Sequence, residues 1–287
     1  MKNSIRLIAA IALVFAASSF TLAQSLNWEG QTGALVTPFA YTAKSSDKGF
    51  GAPTVAFHYL NAGENVGNYF TASATVGVFN RAEFGYTRTF VKAGSTAVSP
   101  LFDEGYNTFH GKLNIVRENA GKTTFVPAIS VGFVARTNVR HVGGVIDGKD
   151  TNNGDVYLVG TKTITQVKGL PIVLSAGVRG TNASIMGIAG NAPEWTARAF
   201  GAAAFVVKGP AKSSIILGSE FSQQPKEIAG LPGAVIPTTL TYFARIVPKT
   251  EKGMNIDFGV AQVAGRIAPG VDLKSRAQFG MGVSYHF

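Results

Sequence analysis

The stretch "SRAQFGMGVSYHF" (residues 275–287) decides how this chain is read. Taken in steps of two it gives Ala277, Phe279, Met281, Val283, Tyr285 and Phe287, all apolar or aromatic. The residues between them, Arg276, Gln278, Gly280, Gly282, Ser284 and His286, are polar or lack a side chain. Successive side chains of a β-strand point to opposite faces, so the spacing predicts a strand with one oily face and one wet face.

The same alternation recurs upstream. In "TFVPAISVGFVAR" (124–136) the face Phe125, Pro127, Ile129, Val131, Phe133, Ala135 opposes Val126, Ala128, Ser130, Gly132, Val134, Arg136. "TLTYFARIV" (239–247) separates Leu240, Tyr242, Ala244 and Ile246 from Thr241, Phe243 and Arg245, whereas 154–166 and 195–208 fit either facing. Strands are predicted at 53–60, 69–79, 82–93, 108–118, 123–136, 154–166, 170–181, 195–208, 213–222, 237–248, 254–263 and 276–287. Most are near the roughly 9–11 residues that cross a bilayer when tilted. Their connections alternate long and short, the short ones (80–81, 119–122, 167–169, 209–212, 249–253) being rich in Asn, Gly, Pro and Lys. A soluble sandwich also alternates, but it has no reason to sort its loops by length. The expected fold is therefore all-β: a single antiparallel transmembrane β-barrel of about 12 strands, with short periplasmic turns and long extracellular loops.

Residues 1–23 carry Lys2 and Arg6, an apolar run from Leu7 to Phe15 and a mostly small-residue flank ending at Ala23, the pattern of a secretory signal peptide. Its removal lowers the formal charge of +10 by the two of Lys2 and Arg6, to +8. The basic residues are dispersed, so nucleic acid is not an expected partner; lipid and small anionic solutes or glycans are. There is no cysteine, which excludes disulfides and thiolate metal sites. The domain plan is leader 1–23, a periplasmic or lumen-plug segment 24–52, and a barrel 53–287.

On the faces assigned inward lie Lys112, Arg136, Arg179, Arg245 and Arg276, against Glu83, Glu220 and Asp257. An Arg or Lys facing lipid near the midplane costs about 2–4 kcal/mol, so the lumen is where these belong. They are expected to line a pore and, being mostly basic, to favour anions; the alternative is that they pair into bridges across a closed lumen. Small inward residues such as Ser73, Gly85, Ser130 and Gly177 leave room in a barrel of this width, which water, solute or the segment 24–52 could occupy. Phe287, Tyr285 and Val283 form a terminal aromatic signature of the kind by which barrel-assembly machinery recognises its clients. No catalytic motif, cofactor fingerprint or metal-ligand spacing is present: Ser284 and His286 share a face, but the inward one, and His58, His110 and His141 are not spaced as ligands.

Several stretches carry a resemblance: "WEGQTGALVTPFAYTA", "FHGKLNIV", "VPAISVGFVART", "DVYLVGTKTITQ", "GNAPEWTARAFGA", "GLPGAVIPTTLTY" and "GVAQVAGRIAPGVDLKSRAQFGMGVSY". Through them the chain resembles, from Trp28 to Phe287, an uncharacterised domain-of-unknown-function family of bacterial outer-membrane β-barrel proteins. The resemblance implies a Gram-negative outer-membrane location and brings no activity with it. "GQTGALVTPFA" is also similar to the start of some outer-membrane proteins associated with exopolysaccharide export. The expected function is a passive pore or uptake channel for small polar or anionic solutes, not an enzyme. The alternatives are a non-conducting accessory barrel linked to cell-surface polysaccharide, or a lipid-modifying barrel enzyme.

Overall fold

Twelve strands carry the fold, in chain order β1 (Thr54–Asn61), β2 (Asn68–Val78), β3 (Ala82–Lys92), β4 (Asn107–Val116), β5 (Ala128–Val139), β6 (Thr151–Ile164), β7 (Ile172–Ala183), β8 (Asn191–Lys208), β9 (Ser214–Ser222), β10 (Thr239–Val247), β11 (Gly253–Gln262) and, last, β14 (Gln278–His286). Two short strands, β12 (Arg266–Ala268) and β13 (Val271–Asp272), pair with each other between β11 and β14. The computed structural model describes residues 25–287 apart from 93, 148–150, 168–169, 232, 249–252, 263–265, 269–270 and 274; the expected leader 1–23 lies outside the described residues.

Each barrel strand pairs antiparallel with its neighbours in sequence, and β14 pairs with both β11 and β1, from Thr54↔His286 to Leu60↔Gly280. The sheet is thus a closed cylinder, and no strand edge is left open. The reversals are made by backbone chemistry that the sequence supplies. After β2, the Arg81 N–H donates to the Val78 carbonyl at 3.0 Å, with Phe79 and Asn80 at φ 52° and 50°. Pro210–Ser213 repeats this between β8 and β9, with Ala211 at 51° and Lys212 at 63° and the Ser213 N–H donating to Pro210 O at 3.0 Å. Two successive positive φ values make a type I′ turn, whose twist matches the strands it joins.

Both strand termini, Thr54 and His286, lie at one end of the cylinder. The connections at the far end (62–67, 93–106, 140–150, 184–190, 223–238) are mostly longer than those at the termini end (79–81, 117–127, 165–171, 209–213). The strict sorting expected from sequence fails at 117–127, because β5 begins at Ala128 rather than at 123, and at 165–171, which is no shorter than 184–190 because β8 begins at Asn191 rather than at 195. Pro127 has no N–H to give a ladder, and the chain before it turns back through Asn119, whose N–H donates to Val126 O at 3.0 Å.

Outward side chains are apolar and uncovered. Phe57 of β1, Phe109 of β4, Leu158 of β6, Phe205 of β8, Tyr242 of β10 and Phe279 of β14 are exposed, and every one of the twelve strands contributes at least one large hydrophobic to this belt. A soluble monomer rarely exposes contiguous apolar patches beyond a few hundred Å². A belt on all sides of a closed sheet is solvated by hydrocarbon, and the barrel is transmembrane. No helix among the described residues is long and apolar enough to cross a membrane.

Leu158, halfway along β6, should therefore tolerate charge poorly: Leu158→Arg is expected to lose about 2–4 kcal/mol in urea unfolding from lipid vesicles. A loss below about 0.5 kcal/mol, the usual size for a water-facing substitution, would contradict a lipid-facing wall.

Candidate functional site: the filled lumen

Residues 25–43 run inside the cylinder. Almost all of them are buried, with Leu26, Ala34, Phe39 and Ala40 at 1 % exposure or less. The segment folds tightly on itself through bridges Leu26↔Thr32 and Gly33↔Pro38. Asn27 organises the first reversal: its Oδ1 accepts the N–H groups of Glu29 (3.0 Å) and Gln31 (2.9 Å), and its Nδ2 donates to Val36 O (3.1 Å). Gly30 follows at φ 87°, where a Cβ would lie 2.6 Å from Thr87 Oγ1 on the wall, so only glycine fits. The segment leaves past Gly77, where a Cβ would lie 2.0 Å from Ala43 O. It then crosses the β2–β3 turn, with Phe79 N–H donating to Gly49 O, and enters β1.

Contacts with the wall come from all round the barrel. Glu83 of β3 accepts from Thr32 N (3.1 Å), Thr32 Oγ1 (2.8 Å) and Ala43 N (2.7 Å), and pairs with Lys112 Nζ of β4 at 2.9 Å. Lys112 also donates to the Thr32 and Phe39 carbonyls, at 3.0 and 2.9 Å. Across the lumen, Glu220 of β9 accepts from Val36 N (2.9 Å), Thr37 N (2.8 Å) and Thr37 Oγ1 (2.8 Å). Arg245 of β10 pairs with Asp257 of β11 at 2.6 Å and donates to the Gly33 and Ala34 carbonyls at 3.0 and 3.1 Å. Arg136 of β5 bridges Glu29 of the segment (2.6 Å) and Asp155 of β6 (2.8 Å), and Arg179 of β7 lies 3.8 Å from Asp155 and donates to Ser222 Oγ.

Seven of the eight residues assigned to the pore wall from sequence therefore face inward and are buried: Lys112, Arg136, Arg179, Arg245, Glu83, Glu220 and Asp257. They are engaged with one another and with the inner segment rather than lining an open passage. Arg276 is a correction. Pairing of the last strand starts at Gln278, so the alternation that continues through Arg276 is not a strand, and Arg276 is exposed in the far-end loop, paired with Asp272 at 2.7 Å. The basic majority expected in the lumen is corrected too. Sequence reading missed Asp155, because 154–166 fitted either facing, and Glu29, because the segment does not alternate. With both included, among the described residues four buried cations face five buried carboxylates.

The histidines and the last strand serve structural contacts. His58 Nδ1 lies 3.3 Å from Thr71 Oγ1, and His110 Nε2 lies 3.1 Å from Thr75 Oγ1. Ser284 Oγ accepts the Leu26 N–H, and His286 Nδ1 meets Thr54 Oγ1 at 3.1 Å. Val283 and Tyr285 point outward, and Tyr285 stacks edge-on against Phe287 with ring centroids 4.9 Å apart. Among the described residues no three His, Asp or Glu side chains gather as a metal site.

The far-end loops close over the segment with a core of Tyr69, Phe102, Val142, Ile185, Ile188 and Ile236. His141 sits in this cap, its Nδ1 2.9 Å from Ile188 O, ringed edge-on by Tyr69, Phe102 and Tyr106. Burial among these rings holds it below the ordinary histidine pKa, outweighing the carbonyls of Glu104 and Ile188 that favour its charged form.

The geometry defines a class: a transmembrane β-barrel whose lumen is occupied by its own N-terminal segment. The chain belongs to the family described as "Protein of unknown function (DUF3034)", whose model matches residues 24–244. No curated protein matches it. Among solved structures it is similar to "KdgM porin", at 10 % identity and a TM-score of 0.47, over 82 % of this chain and 99 % of that one. The structure described as "KdgM porin in complex with disordered oligogalacturonate" is similar at 11 % identity and 0.46, over 82 % and 99 %. The β-domain of the Bordetella autotransporter BrkA follows at 13 % and 0.39, over 84 % and 100 %. The barrel rests on its own strand pairing, and likenesses this distant say nothing of solute or partner.

Arg245→Met removes one partner of a buried pair and two donors to the segment. It is expected to cost about 3–5 kcal/mol in urea unfolding and to make residues 25–43 cleavable by added protease while the barrel stays folded. Unchanged stability with the segment still resistant would contradict the assigned role of Arg245.

Proposed function

We propose that the protein is a bacterial outer-membrane barrel, closed while residues 25–43 are seated, that admits small polar solutes when the segment leaves the passage. One observation carries this reading: beside the apolar packing of Ala34, Phe39 and Ala40 on the wall, the seam between segment and wall is bound by the buried charged side chains of Glu83, Lys112, Arg136, Glu220 and Arg245. A lumen filled for good is cheaper to build from apolar side chains, because burying charge carries a desolvation cost that a well-packed hydrocarbon core avoids. Charged walls suit a surface that water and solute also visit.

The wall could stand without the segment. Lys112 keeps Glu83, Arg245 keeps Asp257, and Arg136 and Arg179 keep Asp155. Four cations and, with Glu220, four carboxylates would then face the passage. Such a wall has no excess charge of either sign, so the solute class is polar rather than anionic. The filled lumen equally favours a second reading, a non-conducting accessory barrel. In planar bilayers the intact protein should be mostly closed, and deletion of 25–43 should give steady conductance with little preference between cation and anion. A folded deletion barrel that passes no current would leave the non-conducting reading standing.

The termini end is assigned to the periplasm, with Val283, Tyr285 and Phe287 as the contact for the barrel-assembly machinery. Deleting Phe287 should lower the amount of protein inserted into outer membranes several-fold, while refolding into pure lipid is unchanged. Equal loss in both assays would mean that Phe287 serves only stability.

A further inference from the structure

Arg88 is a charge that neither the hydrocarbon belt nor the inner segment explains. The outward positions along β3 are Phe84, Tyr86, Arg88, Phe90 and Lys92, so Arg88 stands between two exposed aromatic rings on the lipid-facing wall. Its cross-strand neighbours there are Ala72 of β2 and Asn107 of β4. A cation on such a face is costly unless it reaches polar headgroups or a partner. The guanidinium lies over the Phe90 ring, 5.6 Å from its centroid, and Nη1 donates to Asn107 Oδ1 at 3.1 Å, an oxygen that also accepts from the Tyr86 hydroxyl at 2.8 Å. Its remaining N–H groups meet no acceptor among the described residues. No carboxylate among them lies within ion-pair distance of it either: Glu104, in the connection after β3, is paired with Arg140 at 3.3 Å.

Two neighbouring features define what would meet this cation. Lys92 lies on the same face nearer the far end, about 13 Å further along the strand, so two long basic side chains flank one position above Phe90. On the other side of Arg88, β2 presents Ala72 and Ala74 outward, between Phe57 and Val55 of β1 and Arg88 and Tyr86 of β3. β1 and β3 stand about 10 Å apart across β2, so the two short side chains leave a groove wide enough for one alkyl chain. Groove and cations are continuous.

We infer that this sector of the outer wall binds one acyl-chain lipid whose headgroup carries an anionic phosphate with no balancing cation. The phosphate oxygens accept from the Arg88 fork and from Lys92 Nζ in the leaflet at the far end, while an acyl chain runs over Ala72 and Ala74 toward the middle of the wall. Guanidinium and phosphate match as a forked, charge-assisted pair. A zwitterionic headgroup would bring its own cation against Arg88 and Lys92. The site is on the outside of the barrel and stands whether or not the lumen conducts.

Native mass spectrometry of the full-length protein in non-ionic detergent tests this, with titration by dimyristoylphosphatidylglycerol or dimyristoylphosphatidylcholine, which differ only in the headgroup. One phosphatidylglycerol should be retained more tightly than phosphatidylcholine, and Arg88→Gln should weaken it about five-fold, the size of one cation's attraction to an anionic lipid. Replacing both Arg88 and Lys92 by Gln should abolish the headgroup preference. Lys212→Gln, which removes an exposed cation at the termini end, should change nothing. Equal binding of the two lipids, undiminished retention in Arg88→Gln, or an equal loss in Lys212→Gln would overturn the site. Glycerol 3-phosphate in millimolar excess should leave the lipid bound; displacement would assign the cations to a soluble phosphate and overturn the lipid reading. Should a variant fail to fold, the comparison of the two lipids on the unaltered protein decides alone.

Discussion

A charge shut away from water must find partners, and the interior of this barrel is arranged around that requirement. Arg136 and Arg245 are fully buried while the segment is seated; each has a wall carboxylate, Asp155 or Asp257, and the segment takes up the donors that remain, through Glu29 for Arg136 and the carbonyls of Gly33 and Ala34 for Arg245. Among the described residues no cation lies within ion-pair reach of Glu220, which is held by two backbone N–H groups and a hydroxyl of Val36 and Thr37. Such groups are expensive to orphan and nearly neutral when paired. The segment's path through the lumen is the one that meets them, which is why a stretch with no regular secondary structure of its own is held as firmly as a strand.

The outside obeys the complementary rule. Hydrocarbon offers backbone groups no partners, so the sheet must close, and β14 does so by pairing with β1 along almost its whole length. Closure fixes the facing of every side chain, and the facing puts the ionisable groups within reach of the segment. Close approach is then possible only where side chains are small. Gly77 and Gly30 let the segment's backbone pass within contact of the wall, and the short side chain of Ser130 donates to Ala40 O.

Much of this was legible in sequence because the period of a strand is two. Once 239–247 is read as a strand, Thr241, Phe243 and Arg245 must share a face, and they do. Reading failed where the inner face is itself apolar. On β6 the inward set includes Tyr157 and Val159 beside Asp155, because these pack on the segment and not on water, so neither face stands out. β8 is ambiguous for the same reason, with Phe200, Ala202, Ala204 and Val206 inward. The segment was harder still. Its bridges are single and its order comes from contacts more than a hundred residues away, such as Gln31 with Tyr157, which no local period encodes. Arg276 fails in the opposite sense: alternation outruns the ladder, since side-chain pattern alone does not say where hydrogen bonding stops.

The central claim is that residues 25–43 occupy the lumen of a lipid-embedded cylinder. Amide hydrogen exchange on the protein in nanodiscs measures it directly, residue by residue and without mutation. The account predicts that amides bonded to the wall, those of Thr32, Val36, Thr37, Ala40 and Ala43, exchange as slowly as those in the middle of β6 and β7. Exchange across 25–43 at the rate of an unstructured peptide, with the strands protected, would place the segment outside the barrel and contradict the account.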